Sequence, residues 1–391
     1  MTQVSTRKLR RYLGIIALLA VTCVGFVALS IASGERVQAQ SSVRPPADAT
    51  TTVQPGTPPG SLPTTVAPGV VPSADMWRSI RQGVAGRVTI PDQKAAILVQ
   101  SEGENFRAFR NGPLSVYGVW LMLAMIVVIA IFYALRGCIR VEEGFAGRTI
   151  ERFNFLDRFS HWLVATSFIA LALTGLNMLY GRYVLLPVIG PSAFSAISIW
   201  GKYAHNYIAF AFMLGLVLIF VLWVKNNLPT LTDLKWLARG GGLFVKGSHP
   251  PAYKFNAGQK LLFWLVMLAG VSVSVSGICL IWPFEFHPFA PTFTAINVFT
   301  GPFGLTLPTE LTALQETQLS LVWHAIVALV FITLVLAHIY IGTLGMEGAI
   351  TAMTDGQVDE NWAHQHHSLW LEQVKEAEKR EPPAAAAVPA E

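Results

Sequence analysis

Cysteine is scarce in these 391 residues: Cys23, Cys138 and Cys279 are the only ones, and no Cys-x-x-Cys-His run occurs. That excludes a covalently attached c-type haem, a cysteine zinc site and an iron–sulfur cluster on the chain's own ligands, and it leaves no disulfide framework. Charge is scarce as well. Charged residues make up 13% of the chain and hydrophobic ones 53%, whereas a soluble domain carries about a quarter charged residues. The deficit points to lipid as solvent. The formal charge of +5 is modest, and the basic residues gather in particular loops rather than in one tract. This suits the positive-inside rule and argues against nucleic acid as a partner. Carboxylates are almost missing from the apolar stretches, which argues against a proton-coupled transporter.

Residues 1–39 read as an export signal. Arg7, Lys8, Arg10 and Arg11 form a basic start, Gly14 to Ala32 an apolar run, and Val37-Gln38-Ala39 a small-residue cleavage site. The run is slightly long, so an uncleaved anchor helix is the competing reading; either way the following residues are delivered outside. Residues 40–74 are rich in Pro, Thr, Gly and Ala without periodicity and read as a linker. Residues 75–113 regain aromatics and charges but are too few for a sizeable core of their own, so they read as a short extramembrane segment.

Five apolar stretches follow, at 114–135, 159–180, 204–224, 260–283 and 319–342. Each is long enough to cross a hydrocarbon core of ~30 Å as a helix. With the amino terminus outside, the first helix runs inward and the rest alternate. Loop 136–158 holds Arg136, Arg140, Arg148, Arg152 and Arg158, and loop 225–259 holds Lys225, Lys235, Arg239, Lys246 and Lys254. The outer connections hold Arg182 and Lys202 in one, and neither Lys nor Arg in 284–318. Basic residues thus mark both inner loops, in agreement with the signal, and the tail at 346–391 is left inside.

Four of the nine histidines, His161, His205, His324 and His338, lie in or at the edge of these spans. An ionisable ring in hydrocarbon is costly without a partner, so each is a functional candidate; a hydrogen-bonded helix contact is the plainer reading of any one alone. Together they say more. His324 and His338 are fourteen residues apart, which at ~100° per residue leaves them within ~40° of one face and ~21 Å apart along the axis. One therefore sits near each membrane surface. Direction of travel then puts His324 and His205 at the outer level, and His338 and His161 at the inner level. Depth alone pairs His161 with His338 and His205 with His324, the arrangement by which a bundle ligates haem iron from both sides, twice over. Gly175, fourteen residues after His161, and Gly277 lie near the outer level, where a missing side chain makes room for a porphyrin edge or for ordinary helix packing. His249 and His287 read as loop residues, and His364, His366 and His367 as solvated tail.

At the inner surface, Asn256-Ala257-Gly258-Gln259-Lys260 opens the fourth helix. By spacing alone Asn256 is an N-cap, although such amides could also donate to quinone carbonyls.

These residues resemble a known family. Asp157-Arg158-Phe159-Ser160-His161-Trp162, Lys254 to Lys260, His324 with His338, and Trp362-Ala363-His364-Gln365-His366-His367 followed by Trp370 are similar to the gamma subunit, cytochrome b556, of respiratory formate dehydrogenase. The similarity covers roughly 150–375. It implies an all-α integral membrane protein, with a di-haem bundle over 150–345 and 114–135 as an extra amino-terminal transmembrane helix. It implies two haem b groups, on His161 with His338 and on His205 with His324, and a menaquinone or ubiquinone site involving Asn256, Gln259 and the region of His338. It also implies an iron–sulfur beta subunit and a molybdenum- or tungsten-dependent alpha subunit outside. The expected place is the bacterial inner membrane, with the mature amino terminus periplasmic and the carboxyl terminus cytoplasmic. Formate oxidation itself falls to the alpha partner. The signal, linker, segment 75–113 and histidine-free first helix depart from the shorter family form. A cytochrome b partner of a nickel–iron hydrogenase is the nearest alternative, and a membrane anchor whose histidines only pack is one of another class.

Overall fold

The protein is described by a computed structural model over residues 102–380, apart from 244, 246 and 284, together with two paired strands at Gly86–Arg87 and Ile97–Val99. The expected signal (1–39) and linker (40–74) lie outside the described residues, as does most of segment 75–113.

Among the described residues, five helices are long and apolar enough to cross a membrane: α1 (Ser115–Arg136), α2 (Phe155–Val184), α3 (Leu186–Trp223), α4 (Ala257–Ile281) and α5 (Ala313–Tyr340). Large apolar side chains stand outward along them; Leu214, Val217 and Val221 of α3 are 57%, 59% and 69% exposed. A lipid solvent makes that arrangement stable where water would not. The chain is an all-α, multi-pass membrane protein.

The helices overrun the apolar stretches. α2 starts at Phe155 because Asn154 and Asp157 cap it reciprocally: Asp157 N donates to Asn154 Oδ1 at 2.9 Å, and Asn154 N donates to Asp157 Oδ2 at 3.2 Å. Residues 181–203, expected as a loop, are helical nearly throughout. The break falls at Gly190, whose φ of 78° few side-chain-bearing residues adopt, and Pro191 restarts the helix with a pre-set φ. α2 and α3 pack closely where Gly215 faces Val164. A Cβ on Gly215 would stand 2.6 Å from the Val164 side chain and 3.3 Å from its backbone nitrogen.

The described residues form two compact units. One comprises 118–276 with 324–380. In it, both basic loops and the tail gather on one face. β1 (Thr149–Glu151) pairs antiparallel with β2 (Gln357–Asp359), Ile150 opposite Val358. Ile139 bridges to Met346, and Arg136 Nε donates to Leu243 O at 3.0 Å. Helices Glu360–His366 and Ser368–Arg380 then fold back over both loops. Gln365 accepts from Glu142 N at 2.9 Å and donates to Arg140 O at 3.0 Å, and Trp370 N donates to Ala252 O at 3.3 Å. Ile150, Phe153, Phe255, Val358, Trp362, Ala363, Trp370 and Leu371 form the apolar centre of this clasp. The expectation of a solvated tail is corrected here. His364 is exposed, but His367 is 1% exposed and His366 is half-buried. Trp362, Trp370 and Leu371 bury enough apolar surface to hold the segment down.

The other unit comprises 102–117 and 277–323. Its connection between spans is also helical at Phe289–Thr300. The buried Glu316 carboxylate accepts from Phe289 N and Ala290 N, at 2.9 and 2.7 Å, satisfying amides that the helix start leaves free.

Candidate functional site

The four span histidines meet in two pairs. The His205 and His324 rings lie 6.2 Å apart, centre to centre, inclined at 66°, and those of His161 and His338 lie 6.3 Å apart at 70°. A metal–imidazole bond is about 2 Å and the ring centre lies about 1 Å behind its nitrogen, so two imidazoles facing one metal atom put their centres about 6 Å apart. Both pairs have that spacing.

Their hydrogen bonds decide which nitrogen is free. His205 Nδ1 lies 2.9 Å from Thr174 Oγ1, and His324 Nδ1 lies 3.0 Å from Ser276 Oγ. Each hydroxyl already donates its proton along its own helix, Thr174 to Ala170 O at 2.7 Å and Ser276 to Ser272 O at 2.9 Å. The imidazoles must therefore donate from Nδ1, and the Nε2 lone pairs remain for a metal. The His161–His338 pair is oriented differently. His161 Nδ1 is buried without a partner, and its ring stacks at 6.5 Å on Trp223. Trp223 is held in turn by the buried Asp157, to which its Nε1 donates at 2.7 Å. The tail braces the same motif: Arg158 donates to Thr354 O at 2.6 Å and Trp162 to Met353 O at 2.9 Å.

Between the two levels lies an aromatic layer. Phe168, Phe212 and Phe331 each sit seven residues from a histidine on their own helix, about 10 Å along the axis and close to the same face. Their rings approach to 4.6 Å for Phe168 with Phe331, and to 6.2 and 6.3 Å for the contacts of Phe212. Gly175 adjoins the outer pair, since a Cβ there would lie 3.5 Å from His205 Cε1.

On the clasped face, Asn256 and Gln259 cap α4 reciprocally. Gln259 N donates to Asn256 Oδ1 at 2.9 Å, and Asn256 N donates to Gln259 Oε1 at 3.1 Å. Backbone donors thus occupy both amide oxygens and fix the orientation of both side chains, leaving the two NH2 groups as donors. Sequence reasoning missed Arg152, beside them. It is buried, and Nη2 donates to Lys254 O at 2.7 Å and to His367 Nε2 at 2.9 Å while lying 3.4 Å from Gln259 Oε1. Burial lowers its pKa to about 9, which still leaves it charged at neutral pH. Two further histidines of the clasped face serve the clasp. His249 pairs with Glu142 at 3.1 Å, and the His366 ring packs on Trp362 at 5.1 Å. Among the described residues, no group of three or more His, Cys, Asp or Glu side chains is arranged to hold a metal ion.

Comparison with known proteins is consistent with this chemistry. Residues 152–356 match the family described as prokaryotic cytochrome b561. Over 235 residues the chain is 27% identical to the nitrate-inducible formate dehydrogenase cytochrome b556(Fdn) subunit of Escherichia coli K12, covering 60% of this chain and 95% of that protein. It is 25% identical over 233 residues to the formate dehydrogenase cytochrome b556(fdo) subunit of the same strain, covering 59% and 96%. It is 26% identical over 218 residues to the formate dehydrogenase cytochrome b556 subunit of Haemophilus influenzae, covering 54% and 78%. The family implies haem b, and the donor set fits that group: imidazoles in facing pairs, with Nε2 left free in the His205–His324 pair. With the family match spanning more than half of its length, the chain belongs to the prokaryotic cytochrome b561 family.

Proposed function

We propose that this chain is the membrane cytochrome b subunit of a formate dehydrogenase, carrying electrons between two haem b sites and reducing quinone at the inner face. The observation that carries the reading is the pair of imidazole contacts, at 6.2 and 6.3 Å, fourteen residues apart on α5. His205 and His324 hold the outer haem, and His161 and His338 the inner one. When bound, these haems supply one-electron transfer across the bilayer.

The remaining roles belong to the chain's own side chains. Thr174 and Ser276 hold the outer imidazoles in the ligating tautomer, while Trp223, fixed by Asp157, holds His161 by packing. The NH2 groups of Asn256 and Gln259 donate to the quinone carbonyls, so capping and quinone binding are compatible uses of the same two residues. On the donor side, the names of the relatives support other formate dehydrogenase subunits as partners; in this reading these are an iron–sulfur beta subunit and a molybdenum- or tungsten-dependent alpha subunit on the outer face, which oxidise formate and deliver electrons. Inward electron movement with proton uptake from the inner side separates charge, on a scale of ~2.3 kcal/mol per charge per 100 mV. The names of the relatives favour formate over hydrogen as the source of electrons.

A reduced-minus-oxidised spectrum of the purified chain, with haem quantified against protein, tests this directly. Two haems b per chain are expected. No b-type alpha band would leave the membrane-anchor reading standing. Peptides of hydrogenase subunits in place of formate dehydrogenase subunits, after mild solubilisation and co-purification, would reassign the donor.

A further inference from the structure

Arg152 sits in a setting that a purely structural arginine does not need. It is 4% exposed, and its guanidinium carbon lies over the rings of Phe153, Trp362 and Trp370 at 5.3, 5.1 and 5.7 Å. Nε is buried with no acceptor. The acceptors around Nη2 are all neutral: the Lys254 carbonyl, the Gln259 amide oxygen and His367 Nε2. His367 is neutral because its Nδ1 donates to Tyr253 O at 2.7 Å while its Nε2 faces Arg152, which can only donate and so requires a lone pair there. Burial, and then the adjacent guanidinium, hold its pKa well below the usual histidine range. Among the described residues, no carboxylate forms an ion pair with Arg152. A buried cation with only neutral partners is unfavourable until negative charge arrives beside it.

We propose that Arg152 is the cation of the inner quinone site, orienting Gln259 and stabilising the negative charge that develops on the quinone oxygens during reduction. The inference rests on the quinone reading above. Two electrons from the inner haem level and two protons from the inner aqueous side convert two carbonyls into two hydroxyls. The oxidised headgroup is neutral, so Arg152 gains little on binding it. The gain comes only as charge builds up, and that is where a fixed cation in a water-poor setting accelerates a reaction. Arg152 reaches the headgroup through Gln259 and is therefore a positioning residue. His367 brings the carboxyl-terminal segment into the site, since it and the Lys254 carbonyl hold the guanidinium in place.

The test uses the purified full-length chain carrying its haems, and follows haem b reduction by short-chain menadiol in stopped flow. Arg152→Gln keeps an amide donor and removes the charge. Its maximal rate is expected to fall about tenfold or more, with the half-saturating menadiol concentration within about twofold of wild type. Arg152→Lys restores a cation and should recover part of the rate. Wild-type maximal rate in Arg152→Gln, a loss confined to half-saturation, or no recovery in Arg152→Lys would each overturn the proposal. If Arg152→Gln does not accumulate with its b-type band, His367→Ala decides. It keeps the charge but removes its acceptor, and is expected to slow the maximal rate about threefold or more at similar half-saturation; an unchanged rate overturns the proposal. A wild-type chain that binds haem but is reduced by neither menadiol nor decylubiquinol would instead remove the quinone reading beneath it.

Discussion

Imidazole in a membrane interior must be both neutral and aimed, and the two levels of this bundle meet those requirements differently. At the His205–His324 level, Thr174 and Ser276 commit their own protons to helix carbonyls and so force the ring protons onto Nδ1. At the His161–His338 level, Trp223 orients His161 by stacking. His205→Ala should therefore remove one haem per chain and spare most of the other, read as a halved alpha band; loss of neither would contradict the pairing. Ser276→Ala removes an acceptor worth ~1 kcal/mol and a support whose loss typically weakens metal binding about 10- to 100-fold. Competition with apo-myoglobin for haem should show the outer site weakened and the inner one unchanged. The histidines and their levels were legible in the sequence because depth follows from residue count along one helix. The hydroxyl partners were not, because a Ser or Thr in an apolar helix gives no sign of which neighbour it will face.

At the scale of elements, the tail clasp is the least anticipated feature. It depends on Gly356, whose φ is +82° and whose added Cβ would fall 2.4 Å from Phe153 O. The Gly356 carbonyl accepts from Arg152 N at 2.8 Å and Phe153 N at 3.2 Å, so the turn also positions Arg152. Gly356→Ala combines a left-handed backbone, costing roughly 1–2 kcal/mol, with a backbone clash. Faster proteolysis within 357–380 is the expected outcome, and an unchanged cleavage rate would show that the turn relaxes freely. The clasp should also loosen in acid. Burial lowers the His366 pKa to about 4 from an ordinary 6.5, with the His249 ring and Arg152 acting in the same direction. The unfolded segment then binds a proton that the docked one rejects. Docking is strongest above about pH 6.5 and weakens as pH falls from there toward 4. Hydrogen exchange of 360–380 at pH 7.5 and pH 5 should show lower protection at pH 5; equal protection would exclude His366 as the titrating group.

For the whole molecule, the gathering of loops 137–154 and 239–256 with the tail on one face requires the helix ends meeting there to share a side of the membrane. The positive-inside rule predicts that this side is the cytoplasmic one. A green fluorescent protein fused after Glu391 should fluoresce in cells, whereas alkaline phosphatase at the same position should stay inactive; the reverse pattern would invert the electron path. Exposed Trp200, Tyr203 and Tyr207 on α3, at 72%, 54% and 73%, form an aromatic stripe suited to a membrane interface or a partner.

By itself the sequence determined the solvent, the five spans and the two depths at which imidazoles recur. Each of these depends on composition or period within one segment measured against a bilayer of known thickness. Tertiary structure alone decided the burial of Arg152, the neutrality of His367, the tautomers of His205 and His324, and the folding of the tail over both inner loops. Those contacts join residues up to more than two hundred positions apart, such as Arg152 and His367. No local period records them, and the energy of a buried polar group depends on which neighbours close around it.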